Sequence, residues 1–178
     1  LIYLAADDER FDREGSWAKA ERPVLPASNR LLYLRWMLQR AVNENAPMLA
    51  EYSASEIFHT HDQSPSALYR PHKFSWYVER VHAAREQLDA AFESEHTLSE
   101  LARSVGMSMF HFTRIFTELT GRPPHRYLTE RRLAAARQML RQGRSVTETC
   151  FACGFNNLSH FSRSFARRFG APPSRLAR

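Results

Sequence analysis

Apolar residues return at helical intervals along most of the chain, and Pro and Gly interrupt them at regular points. Leu31, Leu34, Leu38 and Val42 form one stripe behind Ser28 or Asn29, either of which can cap a helix. Asn43-Glu-Asn-Ala-Pro47 breaks that helix, and Met48, Leu49, Tyr52, Ile57 and Phe58 predict a second, weaker one up to about His61. Two helices joined by so short a turn make an antiparallel hairpin. The rest of the chain offers little to cover its apolar face, so dimerisation or packing on a further domain is expected. The stretch before about Pro26 is charged and irregular, with Leu1-Ile-Tyr-Leu4 as the end of a strand. Asp62-Gln-Ser-Pro-Ser66 through Pro71 reads as a linker.

From about Ser75 the pattern is helical throughout. Trp76 to Glu93 places Tyr77, Val81, Ala84, Leu88 and Ala91 at helical spacing. A short helix, Leu98 to Ser104, precedes Val105-Gly106-Met107, and a longer one runs from Ser108 to Thr120. Pro123 and Pro124 can open the next helix, since its first turn tolerates Pro, and Gly143 stops it after about Gln142. Val146 to Cys153 and Asn157 to Phe169 then repeat the short-and-long pair, and a last turn spans Pro173 to Arg178.

That pairing is a true repeat. Phe112, Arg114, Phe116, Gly121 and Pro124 recur as Phe161, Arg163, Phe165, Gly170 and Pro173, each pair 49 positions apart. A unit repeated at this period is one supersecondary element used twice. Here it fits a helix-turn-helix, which needs a small residue where two helices cross and a Gly four residues later for the turn. Ala102 with Gly106 meets that need, and so does Cys150 with Gly154. Phe112, Ile115, Phe116 and Leu119 form an inward stripe in the first copy. Met109, Phe110, Thr113, Arg114 and Thr117 are thereby turned outward. In the second copy Leu158, Phe161, Phe165 and Phe169 face in, and Ser159, His160, Arg163 and Arg167 face out. The step from Gly154 to Phe161 is one residue longer than that from Gly106 to Phe112.

Charge sharpens this picture. Of the 178 residues, 1–75 carry a net charge of −1 and 76–96 a net of −3. Residues 97–178 hold fourteen arginines, no lysine and four glutamates, a net of +10. All the excess positive charge lies on the repeated part, as a surface that neutralises phosphates requires. A merely solvated arginine-rich surface would not predict this segregation. Two cysteines are too few for a disulfide scaffold, so a reducing cytoplasm is expected. There is no run of about 18 apolar residues to span a membrane.

Residues 76–178 resemble the C-terminal DNA-binding domain of the AraC/XylS family of bacterial transcription regulators. The resemblance is carried by Leu98-Ser-Glu-Leu-Ala-Arg-Ser-Val-Gly106, His111-Phe-Thr-Arg-Ile-Phe116, Gly121-Arg-Pro-Pro-His-Arg-Tyr-Leu128, Arg132-Leu-Ala-Ala-Ala-Arg137, Cys153-Gly-Phe155 and Phe161-Ser-Arg-Ser-Phe165. It implies an all-α fold in which seven helices form two helix-turn-helix units joined by a long helix at 124–142. On this reading residues 1–70 are the helical tail of a sensor or dimerisation region plus a linker. Residues 71–178 are then the DNA-binding domain, with the first unit at about 98–120 and the second at about 146–169. The family pattern assigns DNA contacts to Phe110, Thr113 and Arg114 in the first unit and to Ser159, His160 and Arg163 in the second. Two positions depart from it. Cys150 stands at the usual small site, and Leu176-Ala177 stand where an aromatic and a basic residue are usual. Residues 28–62 resemble the helical tail of the family's effector-sensing domain, while about 30 residues before Leu31 are too few for its β-barrel.

The resemblance implies double-stranded promoter or operator DNA as the partner, with RNA polymerase as a candidate second one and a homodimer through residues 28–62 as a third. A small-molecule effector is expected only if a sensor domain lies upstream. No cofactor or metal is required. A regulator without an effector domain, governed by abundance or by partner docking through residues 1–75, is the alternative within binding. An enzymatic alternative would need a reactive cysteine outside the repeat, and both cysteines lie inside the second unit. Cys150-Phe-Ala-Cys153 places two thiols on one helix face, yet both positions read as small core sites. His59-Thr-His61-Asp62 reads as a surface pair. Trp36, Trp76 and the phenylalanines other than Phe110 read as core, and Arg131, Arg132, Arg137 and Arg141 on the linking helix as phosphate contacts or solvated groups.

Overall fold

The computed structural model describes residues 28–59 and 68–177. The expected strand end at Leu1-Leu4, most of the linker and the side chains of His59-Thr-His61-Asp62 lie outside them. Among the described residues the chain is all-helical: α1 (Asn29–Asn43), α2 (Pro47–His59), α3 (Pro71–Ala90), α4 (Leu98–Ser104), α5 (Met109–Thr120), α6 (Pro124–Arg141), α7 (Val146–Ala152) and α8 (Leu158–Phe169), closed by a 3-10 turn at Pro173–Arg175. The six helices from α3 onward and that turn supply the seven elements anticipated for the repeated region.

Prolines start helices here more often than they stop them. Pro47, expected only to break the first helix, is the first residue of α2, and Pro71 opens α3 four residues before the helical pattern becomes evident. A missing N–H costs nothing in a first turn, whose amides have no intrahelical acceptor. The break between α1 and α2 is made by Asn45, at φ 52°. Ser28 caps α1 by accepting a hydrogen bond from the Leu31 amide at 3.1 Å.

Two cores are strung along the chain. Val78, Val81, Ala84 and Leu88 of α3 meet Leu101, Phe112, Ile115, Phe116 and Leu119 in the first. Leu133, Ala136 and Leu140 of α6 meet Cys150, Phe155, Phe161 and Phe165 in the second. Tyr127 and Leu128, near the start of α6, pack on the first core, so this helix belongs to both.

The hairpin does not wait for an outside partner. Tyr33 and Met37 are buried in the first core, and α1 lies against α5. The inward stripe is therefore Tyr33, Leu34, Met37 and Ala41; Leu31 and Leu38 are half-buried, and Val42 is exposed. Counting only aliphatic residues displaced the predicted face, because an aromatic and a methionine fill the contact. Not every large aromatic is core either. Trp76 is exposed and carries the Arg80 guanidinium 3.7 Å above its ring, and Phe58 and Phe151 are also exposed. Leu176 and Ala177 pack on the second core beside buried Pro173, so the unusual chain end still closes it.

Candidate nucleic-acid interface

Each helix-turn-helix begins at a reciprocal cap. The Thr97 hydroxyl accepts from the Glu100 amide at 3.1 Å, while the Glu100 carboxylate accepts from the Thr97 amide at 3.3 Å. Ser145 and Glu148 repeat this arrangement at 3.2 Å in both directions. These bonds hold Glu100 and Glu148 below the usual carboxylate range. Such boxes fix where α4 and α7 start, and hence where the turns after them fall.

The turns match as well. Met107 donates its amide to the Ala102 carbonyl at 2.9 Å, and Phe155 donates to the Cys150 carbonyl at 3.1 Å. Gly106 and Gly154 sit at φ 69° and 76°, in the left-handed region that a side chain makes costly. Ala102 and Cys150 are buried at the helix crossing, as their small size anticipates. The caps Ser108 and Asn157 then launch α5 and α8. The caps Thr97 and Ser145 and the turn glycines are 48 positions apart in the two copies, whereas the caps Ser108 and Asn157 and the helices they launch are 49 apart. The extra residue of the second copy thus lies between Gly154 and Asn157.

With these frames fixed, the six anticipated residues fall as follows. Phe110 is 82% exposed on α5, although Phe112 two positions on is fully buried. An aromatic ring left in water on a capped, ordered helix adds nothing to the core. The Arg114 side chain is 53% exposed and leans toward Glu118, 3.9 Å away. Thr113 is half-buried; its hydroxyl donates to the Met109 carbonyl at 2.8 Å, and it borders a hollow between α4, α5 and the start of α6. Ser159, His160 and Arg163 are all exposed on α8. Arg163 has no hydrogen bond or ion pair with any described residue, and α8 contains no acidic side chain. Five of the six therefore project from their helices; Thr113 sits at the edge of its face.

The arginines of α6 divide in two. Arg132 is a structural clamp: it donates to the Phe92 and Ser94 carbonyls at 2.7 and 2.8 Å, tying the α3–α4 connection to α6. Arg131 lies over the Phe92 ring and 3.4 Å from Asp89. Arg137 and Arg141 are exposed, Arg137 with its guanidinium 5.0 Å from the Phe169 ring. The two cysteines are buried in the second core, and burial pushes both thiols up, Cys153 to about 11. A thiol so held is poorly nucleophilic at neutral pH. No cluster of three or more metal-ligating side chains occurs among the described residues, and no described helix is long and apolar enough to cross a membrane.

Sequence reasoning missed two residues that organise this region. Glu118 receives Asn29 and Tyr69 from outside the repeat. Arg85, nearly fully buried on α3, bonds to the hydroxyls of Tyr33 and Tyr127 at 3.0 and 3.2 Å. The signal for Arg85 was present: it interrupts the inward stripe Val78, Val81, Leu88, where a charge has no reason to stand unless it is bonded. Glu118 had no such signal, because its partners are 89 and 49 positions away.

Comparison with known proteins places this geometry in context. A family model described as a helix-turn-helix domain matches residues 101–178. The transcriptional regulator ExsA of Pseudomonas aeruginosa is 30% identical over 97% of this chain and 62% of its own length. The chain thus spans less than two thirds of that relative. A solved probable AraC family transcriptional regulator from Rhodopseudomonas palustris is 28% identical over 56% of this chain and 94% of that one, with a TM-score of 0.53. The DNA-binding domain of AdpA, solved in complex with a target DNA, is 25% identical over 55% of this chain and 89% of that one, also at 0.53.

Proposed function

We propose that this protein is an AraC-type transcriptional regulator that binds double-stranded DNA through two recognition helices, α5 and α8, a reading supported by the helix-turn-helix match over residues 101–178. The observation that carries the reading is the pair of matched frames, each presenting an outward face that the fold does not use. Phe110, Thr113 and Arg114 serve the first head, and Ser159, His160 and Arg163 the second. The unit boundaries follow: residues 71–178 form the DNA-binding domain, and residues up to 70 belong to a sensor or dimerisation region.

The span of the linking helix supports simultaneous engagement. At 18 residues, α6 is about 27 Å long, close to the ~34 Å between successive major-groove faces on one side of the duplex. One copy can therefore set two helices in adjacent grooves. A guanidinium such as that of Arg163 can pair with O6 and N7 of guanine, while other arginines and the helix N-termini hold phosphates. The role is binding, and no catalytic chemistry is assigned. Because the face around Leu34 is used internally, a second copy engaging residues 28–62 would meet the outer edge of α2, where Met48, Tyr52 and Phe58 are exposed. RNA polymerase and, through any sensor region, a small effector are the remaining partners of this reading, and the cytoplasm is its site of action.

Selection on randomised duplexes followed by salt titration of the winner tests the proposal. We expect one bipartite motif, and an affinity that falls roughly a thousandfold between 50 and 200 mM salt for half a dozen phosphate contacts. Absence of any enriched motif, or binding indifferent to salt, would overturn it.

A further inference from the structure

A cavity of about 290 Å³ lies away from both outward faces, where the hairpin, α3, the start of α6 and α8 converge. Its wall carries four arginines, Arg85, Arg122, Arg131 and Arg168, against two carboxylates, Asp89 and Glu130. Those carboxylates are already engaged. Glu130 pairs with Arg122, and Asp89 lies 3.4 Å from Arg131 and accepts the Tyr127 hydroxyl at 2.8 Å. Arg168 and Arg85 have no carboxylate partner among the described residues.

Arg85 is the unusual member. Only 9% of its surface is exposed, and its described hydrogen bonds go to two phenol hydroxyls and the Met37 sulfur. Phenols solvate a guanidinium but do not neutralise it, and a buried charge is costly unless it is paired. Its Nη2 makes no hydrogen bond with any described residue, and the side chain borders the cavity. The free Nη2 can donate to one oxygen of a carboxylate or phosphate, and exposed Arg168 on the same wall can take another. The volume lies just below the ordinary range for small-molecule pockets, about 300 to 1,000 Å³, so only a compact ligand fits.

We propose that this cavity binds a small doubly charged oxyanion, with Arg85 as its anchor and Arg168 as the second cation at the rim. Two sources share that chemistry, a phosphate monoester and a dicarboxylate. The site reaches Tyr52 of α2 and Arg168 of α8 at once, so the anion bridges the hairpin and the second recognition helix. Asp89 and Glu130 are the wall groups that oppose an anion, and Arg131 and Arg122 screen them. The inference does not depend on the DNA-binding reading, because none of the six candidate DNA-contact residues lines the cavity.

The test is calorimetric titration of the 178-residue chain with glycerol 2-phosphate and with succinate, at ionic strength held constant with sodium chloride. Saturable one-to-one binding of at least one of them is expected, and the stronger arm identifies the source. Arg168→Ala and Arg85→Lys should each weaken it roughly ten- to hundredfold, the worth of a hydrogen bond to a charged group. Arg103→Ala, an exposed arginine outside the wall, should leave it unchanged. If Arg85→Lys does not fold, Arg168→Ala decides alone. No binding by either anion, or equal weakening by Arg103→Ala and Arg168→Ala, would assign any attraction to the diffuse positive field and overturn the proposal.

Discussion

Asn29 donates a hydrogen bond to Glu118 at 2.7 Å, joining the first residue of α1 to the far end of α5. Asn29 in turn accepts from the Tyr69 amide at 3.0 Å, and the Tyr69 hydroxyl bonds to the same carboxylate. Arg114 lies one turn before Glu118 on its helix. One acidic side chain thus connects the hairpin, the segment that leads into α3 and a candidate base reader.

This link should be energetically coupled rather than decorative. Asn29→Ala and Glu118→Ala should each destabilise the chain in urea unfolding. The double substitution should then cost less than the two together, with a coupling of about 0.5–3 kcal/mol. Strictly additive costs would show that the hairpin docks without help from Glu118.

Arg163→Ala should cost about 1–3 kcal/mol on the selected duplex and relax preference at one base position, leaving non-specific affinity almost unchanged. Arg114→Ala should do the same about one helical turn away. Arg137→Ala or Arg141→Ala should instead weaken all sequences alike and flatten the salt slope by about one unit for each phosphate no longer neutralised. Identical motifs selected by the parent and by Arg163→Ala would reduce Arg163 to a phosphate-binding group.

The two turn glycines should behave differently. Both lie in the left-handed region, where a side chain costs roughly 1–2 kcal/mol. At Gly106 an added Cβ meets nothing within 4 Å, so Gly106→Ala should cost no more than that. At Gly154 the Cβ would stand 2.3 Å from the Glu93 carbonyl oxygen, which is backbone and cannot swing away. Gly154→Ala should therefore be clearly the more damaging in thermal unfolding. Equal destabilisation would mean that the α3–α4 connection yields freely.

Much of this was readable in the chain. The repeat, the turn glycines and the inward stripe of α5 follow from local spacing, which the structure keeps; on α8 Phe161 and Phe165 are buried, but Leu158, expected to face inward from the first turn, is exposed. What sequence left hidden is the meeting of distant segments. The face of α1 was misplaced because Tyr33 and Met37, not Leu38 and Val42, meet the first core. Arg131 and Arg132 looked like free cations until the fold brought Asp89 and the Phe92 and Ser94 carbonyls to them. Of the candidate readers, Thr113 differs most from its expected setting, since a short hydroxyl side chain bends back to its own helix.

Alkaline pH should unfold the chain early. Burial raises the phenols of Tyr33, Tyr69 and Tyr127 above their ordinary value, with the Glu118 carboxylate adding to the effect at Tyr69. A group whose folded pKa is raised stabilises fully below its unfolded pKa, and that contribution disappears as pH climbs toward the folded value. With unfolded tyrosine near 10, stability should hold to about pH 10 and then fall. Phenolate absorbance should show some tyrosines titrating late and together with the loss of helical circular dichroism. Six tyrosines titrating as one ordinary population in a folded chain would contradict the burial seen here.

The duplication is also unequal, by one residue at the second turn and by most outward side chains, Arg114 and Arg163 excepted, and the copies follow one another in a single chain. No twofold axis relates them. A symmetric dimer meets a palindrome identically from either direction, whereas this arrangement gives the protein a front and a back. On the proposed DNA-binding reading, the sequence it reads must then carry an arrow, and reversing that site beside a promoter would turn the whole molecule around, hairpin included.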